Sequence, residues 1–184
     1  MKRLVLCLWV SALGAAAISL GASQATPPAG PPVVIFDTVK GNIEMELFAA
    51  DAPKSVAHIV GLVRKGFYRG LRFHRVTASL AQVGDPQTRN MQLQAYWGTG
   101  TSGDPIGVAE ISKKHSHVRG AVGLAYAGGP QYADSQFYIM KRASTSLDGE
   151  YAVIGMVTAG MDVVDKIEVT DVVRNAYVKG EGPK

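Results

Sequence analysis

The 184-residue chain has one cysteine, Cys7, so no intrachain disulfide framework is available to it. It has no run of like charge either. Its 19 Lys and Arg against 15 Asp and Glu leave a net +4, which gives no case for nucleic acid or an anionic membrane surface as partner. Common catalytic machinery is missing as well. The four histidines, His58, His74, His115 and His117, have no metal-ligand spacing with cysteines, and His115-Ser116-His117 reads as a solvated polar loop. Ser79, Ser135 and Ser144 lack the flanking glycines of a nucleophile elbow. Asp85-Pro86 and Asp104-Pro105 read as turn starters rather than as a carboxylate pair. The "GTGTSG" at 98–103 runs into Asp104 and not into a helix with a lysine, so it is no phosphate cradle. These absences argue against a hydrolase, a kinase or a metalloenzyme, and the expectation is a protein with no cofactor and no metal.

What is present begins with a leader. Met1-Lys2-Arg3 is positive, Leu4 to Leu20 is almost wholly apolar and small, and Ala22-Ser23-Gln24-Ala25 offers a cut after Ala25, which together predict a cleaved secretory signal over 1–25. The rival reading is a membrane anchor, but the stretch is near the lower length limit for a span and has no charged far flank. Cleavage would remove Cys7 and bring the charge down to +2, since Lys2 and Arg3 leave with it. Periplasm or secretion is the expected location. The remaining chain is long enough for one domain with a full hydrophobic core.

Residues 26–32, "TPPAGPP", are too proline-rich for helix and read as an extended linker. A domain is expected over 33–178, with a short tail at 179–184. "VVIFDTV" and "NIEMELF" read as a hairpin with one wet face. Ala52 to Lys65 has apolar residues at helical spacing, with Asp51 as cap, Pro53 in the first turn and Gly66 as stop. From Gly84 to Gly107 the pattern dissolves into a loop of a length that is usually functional or mobile. Further strands are predicted at Ala121 to Ala125, Gln136 to Lys141, Ala152 to Val157 and Val169 to Val178, with a second helix over Asp162 to Glu168. Many short strands and two isolated helices predict a mainly β, antiparallel barrel capped by helices.

Three polar residues stand inside strand patterns: Arg75 in "LRFHRV", Gln82 in "SLAQVGDP" and Gln136 in "DSQFYIM". Taken as a strand, "LRFHRV" sets Arg75 on the same face as Leu71 and Phe73, where an unpaired charge is costly. One reading is a satisfied buried cluster; the other is a shaped pocket with few convergent donors.

The blocks "GNIEMELFAADAPKSVAHIVGLV", "KGFYRGLRFHRV", "AQVGDP", "HVRGAVGLAYAGGPQYADSQFYI" and "LDGEYAVIGMVTAGMDVVDKI" resemble the cyclophilins, the peptidyl-prolyl cis-trans isomerases, in the same order and from about Val34 to Val173. The resemblance implies an eight-stranded antiparallel barrel with a peptide groove on its outer face. It implies Arg75 as the catalytic arginine and Gln82 as its neighbour. Ala125, Tyr126 and Ala127 match the segment that pairs with substrate backbone, with Tyr126 replacing Asn. Gln136, Tyr138 and Leu147 match groove positions, and Tyr151 replaces a histidine. Tyr138, Leu147, Leu80 and Tyr151 would wall a proline pocket, the two tyrosine hydroxyls reaching its rim.

The chain also departs from the pattern. "TASLA" between Val76 and Gln82 is one residue short and lacks the usual aromatic, and Ser146 stands where cyclosporin-sensitive members carry Trp, implying weak cyclosporin binding. Tyr96 and Trp97 could fold back to supply the missing aromatic surface. The implied partners are proline-containing unfolded or exported polypeptides, with no nucleic acid, no membrane after cleavage and a monomeric state. A module that grips proline segments without turning them over is the alternative to an isomerase.

Overall fold

The structure, a computed structural model, describes residues 30–108 and 110–183, so the predicted leader and residues 26–29 of the linker lie outside the described residues. Eight strands form one antiparallel sheet: β1 (Val33–Thr38), β2 (Gly41–Leu47), β3 (Arg75–Val76), β4 (Leu80–Val83), β5 (Ala121–Leu124), β6 (Phe137–Met140), β7 (Val153–Ala159) and β8 (Val173–Val178). Their order across the sheet is β3-β4-β6-β5-β7-β2-β1-β8. The two edges meet. Arg72 bridges Val172, the Gly70 N–H donates to the Val173 carbonyl at 2.8 Å, and the Phe73 N–H donates to the Asp171 carbonyl at 2.9 Å. Closure of this kind removes the free edges that would otherwise recruit other strands.

Period-two alternation divides the apolar residues between two faces. The inner face builds the main core, where Phe36, Tyr68 and Phe137 pack with ring centroids 5.1 to 5.7 Å apart in tilted and edge-on contacts. The outer face of β4, β6, β5 and β7 carries a smaller buried cluster of Leu80, Ala121, Tyr138, Met140 and Val153, with Leu147 and Tyr151 packed on it. That outer cluster is the floor of the site described below.

Helix α1 (Pro53–Arg64) buries Val56, Ile59, Val60 and Val63 as its spacing predicts. Its cap differs from expectation. Asp51 does not cap it; its carboxylate instead takes Lys114 at 2.5 Å and His115 at 2.9 Å. The open N–H groups of the first turn go to Glu110, far away in sequence, which accepts from Lys54 N at 3.0 Å and Ser55 N at 2.6 Å. A carboxylate arriving from another segment satisfies the helix end as well as a neighbour would, and no local pattern announces it. The second helix, α2 (Met161–Lys166), is shorter than predicted, and β8 starts four residues late because Thr170, at φ 79°, forms a turn.

"LRFHRV" is only briefly a strand, since regular pairing covers Arg75–Val76 alone. Leu71 and Phe73 are fully buried while Arg75 is exposed, so the charge does not share their apolar environment.

Five of the described carboxylates sit below their ordinary range: Asp51 by Lys114 and then His115, Asp148 by the His117 N–H and then its ring, Asp165 by Arg119, Glu168 by Lys40, and Glu110, where the upward push of burial is outweighed by the hydrogen bonds from Ser55 and Lys54. Because each is lower in the folded than in the unfolded chain, its contribution is present above the unfolded value and is lost as pH falls through the folded one. Burial also holds the His74 imidazole below its ordinary value, so the thermal midpoint should begin to fall as pH drops below about 6.5, the unfolded histidine value, and fall further below about pH 4, the unfolded carboxylate range. A scanning-calorimetry series with no further loss below about pH 4 would contradict the carboxylate assignment.

Candidate functional site

The strand register sets one row of side chains across the outer face. Arg75 on β3 pairs with Gln82 on β4, Gln82 with Tyr138 on β6, and Tyr138 with Gly123 on β5. Directly opposed residues in neighbouring strands are close enough to touch, so register alone lines up an arginine, an amide and an aromatic ring. The row is possible because of its last member. A Cβ at position 123 would lie 2.4 Å from Tyr138 Cζ, and only glycine lets that ring lie across the strand.

From Arg75 a hydrogen-bond chain runs in one direction. Arg75 Nη1 donates to Gln82 Oε1 at 3.3 Å, Gln82 Nε2 donates to Gln136 Oε1 at 2.9 Å, and Gln136 Nε2 donates to the carbonyls of Gly98 and Gly100 at 3.0 and 2.7 Å. A guanidinium can only donate and a backbone carbonyl can only accept, so both ends force the same orientation on the two amides. Gln82 and Gln136 are each only 8% exposed, and the chain satisfies them. The arginine head is thereby held from behind while its remaining donors face solvent.

The loop end of the chain is itself anchored. Asp85, fully buried, accepts from Gly98 N at 2.5 Å and Gly100 N at 3.1 Å through one oxygen, and from Gln87 N at 2.7 Å through the other. Sequence pattern marks Asp85 as a turn starter, which it is, capping the 3-10 turn Pro86–Arg89. Its larger task is to hold a segment thirteen to fifteen residues away.

Arg75, Leu80, Gln82, Ala125, Tyr126, Ala127, Gln136, Tyr138, Leu147 and Tyr151, all ten predicted site residues, line one cavity of about 510 Å³. That volume falls within the roughly 300 to 1,000 Å³ usual for ligand-binding clefts. Tyr126 and Tyr151 stack with centroids 4.7 Å apart, Tyr151 meets Tyr138 edge-on at 6.1 Å, and the Tyr126 hydroxyl donates to the Glu150 carbonyl. Leu80 ends a tight turn in which Thr77 Oγ1 accepts from Ser79 N and Leu80 N, both at 3.1 Å, so the short "TASLA" segment presents Leu80 to the cavity.

Several features were not foreseen. The long loop does fold back, but Tyr96 is 62% exposed and neither it nor Trp97 lines the cavity; Gly98, Thr99 and Thr101 do. Tyr132, Asp134 and Ser135 also line it, and their only signal in the sequence was adjacency to Gln136. Two expectations are corrected. His117 is not solvated but wholly buried, bonded to Asp148 and Tyr138, and His115 stacks on Phe48 at 4.1 Å. The Tyr138 hydroxyl does not reach the rim; it turns inward to His117 at 2.9 Å. Burial, with Tyr151 and Tyr126 beside it, pushes the Tyr138 phenol well above its ordinary value, so it stays protonated. The cavity therefore sees the apolar face of that ring.

Comparison with known proteins bears on the family and the fold. The family model for "Cyclophilin type peptidyl-prolyl cis-trans isomerase/CLD" matches residues 33–181. A "Probable peptidyl-prolyl cis-trans isomerase" of Brucella suis biovar 1 is 44% identical over 177 residues, covering 92% of this chain and 90% of its own length. "Peptidyl-prolyl cis-trans isomerase B" of Bacillus subtilis is 35% identical over 142 residues, covering 76% of this chain and 93% of its own. Among solved structures, a cyclophilin type peptidyl-prolyl cis-trans isomerase of Cryptosporidium parvum, in the presence of the dipeptide Ala-Pro, superposes with a TM-score of 0.71 at 23% identity. That match covers 81% of this chain and 99% of the other, and bears on the fold.

Proposed function

The chain belongs to the cyclophilin-type peptidyl-prolyl cis-trans isomerases and is an isomerase of X-Pro bonds, and on that premise we propose that Arg75 drives the rotation, on proline-containing segments of exported polypeptides. The single observation that carries the reading is the one-way hydrogen-bond chain from Arg75 through Gln82 and Gln136 to the anchored loop.

Rotation about a peptide bond is slow because resonance must be broken, at a barrier of about 18 to 20 kcal/mol. In the twisted transition state the nitrogen becomes pyramidal and a better hydrogen-bond acceptor, while charge on the carbonyl oxygen changes. No covalent step is required. What helps is a donor already aimed, a held proline ring and exclusion of water. Arg75 offers a planar fork of donors, kept still by Gln82. Leu80, Tyr138, Leu147 and Tyr151 offer apolar walls, and the backbone of Ala125 to Ala127 borders the path of an extended peptide.

Gln82→Met keeps the length of the side chain but removes the acceptor behind Arg75. The expected result is a fall in kcat of about tenfold with KM little changed, because orientation is lost only where it matters, in the transition state. Prolyl-peptide isomerisation followed by NMR exchange gives both constants; an unchanged kcat would remove Gln82 from the mechanism. The apolar stretch before Ala25 supports export to the periplasm or beyond. Cell fractionation with N-terminal sequencing tests it, and a full-length chain retained in the cytoplasm would overturn it. Exposed Ser146, where Trp would add apolar surface, supports weak cyclosporin binding.

A further inference from the structure

His117 is wholly buried, and the mechanism above gives it no part. Four hydrogen bonds converge on it. Its Nε2 meets the Tyr138 hydroxyl at 2.9 Å, its Nδ1 and its own N–H both meet Asp148 Oδ1 at 2.7 Å, and its carbonyl accepts from Ser144 N at 2.8 Å. A carboxylate only accepts, so Nδ1 donates to Asp148; with the ring's one proton placed there, Nε2 is the acceptor that faces the Tyr138 hydroxyl. Every polar atom of the residue is used, with a defined tautomer.

The partners are not scattered. Tyr138, on β6, is one wall of the cavity. Leu147, which also lines the cavity and packs on the cluster that holds Tyr138, sits in the segment between Ser144 and Asp148, both of which are tied to His117. Tyr138 also lies across Gly123 without a Cβ to stop it sliding, and among the described residues the hydrogen-bond partner of its hydroxyl is His117. One imidazole thus ties together two elements that both line the pocket.

We infer that His117 is a positioning residue of the isomerase: it sets the spacing of the Tyr138 and Leu147 walls without touching substrate, and Asp148 fixes its tautomer. This rests on the reading that a proline ring sits between those walls. The walls grip the ring in its cis, trans and twisted states alike, so loosening them weakens all three together. KM should rise while kcat holds, the opposite of the pattern for Arg75.

The test measures kcat, KM and the dissociation constant of a short Ala-Pro-containing peptide for wild type, His117→Phe, Tyr138→Phe and the double variant. Each single change should raise KM and the dissociation constant by about tenfold, the scale of one buried hydrogen bond. The double variant should lose no more than His117→Phe alone, because that change already cuts the link that Tyr138→Phe removes. His117→Gln, which keeps an acceptor toward Tyr138, should recover part of the loss. A folded His117→Phe with KM and dissociation constant within twofold of wild type would overturn the inference, as would losses that multiply in the double variant. If His117→Phe does not fold, Tyr138→Phe and the ¹⁵N spectrum of the wild-type imidazole decide it; a ring protonated on Nε2 alone would also overturn it. Failure of the isomerase mechanism looks different. It would leave Arg75→Ala with wild-type kcat, whereas peptide affinity would still report on His117.

Discussion

Arg75→Ala is expected to lower kcat by about 10² to 10³-fold, the scale seen when one preorganised donor is removed from a site that stabilises developing charge. Stability should barely move. Arg75 is exposed, contributes nothing to the apolar core, and its one side-chain hydrogen bond among the described residues goes to Gln82 at 3.3 Å. Removing it leaves Gln82 Oε1 beside solvent, where water can replace the lost donor. The informative comparison is with Arg75→Lys, which keeps a charge but not the fork. Lysine should recover little of the rate, because one compact ammonium cannot hold its bond to Gln82 and present a second donor along the groove. Isomerisation kinetics beside a thermal melt would check both points, and Arg75→Ala at wild-type kcat would end Arg75's candidacy as the rotating donor.

Gly123→Ala is expected to damage stability and activity together. The added carbon would stand 2.4 Å from Tyr138 Cζ and 2.5 Å from its hydroxyl, well inside contact distance. The ring is not a loose side-chain end that can yield. It is pinned to His117 and packed in the cluster with Leu80, Met140 and Val153, so relief means breaking that bond and swinging into the cavity. Overpacking of this kind costs about 1 to 3 kcal/mol, and the lost hydrogen bond about 1 more. For a chain of this size the thermal midpoint should fall by roughly 5 to 15 °C. kcat/KM should fall by more than about tenfold, since the displaced ring occupies the space a proline would fill. A variant that melts and turns over like wild type would show that Tyr138 does not lie across position 123.

Much of this protein can be read without coordinates. Hydrophobic alternation placed the strands to within a few residues, and the apolar stripe of α1 lies where its spacing required. The polar intruders Arg75, Gln82 and Gln136 were visible as anomalies before any resemblance was invoked, and they form one connected chain. What could not be read was where long-range partners fall. His115-Ser116-His117 has the composition of a wet loop, yet Asp148 and Tyr138 close over His117, from 31 and 21 residues away. Asp51 looks like a helix cap, but Glu110 occupies that position from 55 residues downstream. Tyr96 and Trp97 were plausible wall-builders by residue type, and the loop instead delivers two glycine carbonyls to Gln136.

The sequence by itself determined which elements could form and which side chains had no place in an apolar strand face, because both follow from local periodicity and the cost of burying polarity. Only the tertiary structure decided that Arg75, Gln82, Tyr138 and Gly123 fall in one row, because strand register is fixed by pairing between segments far apart in the chain. A slip of one residue would have turned each side chain to the opposite face and left no groove.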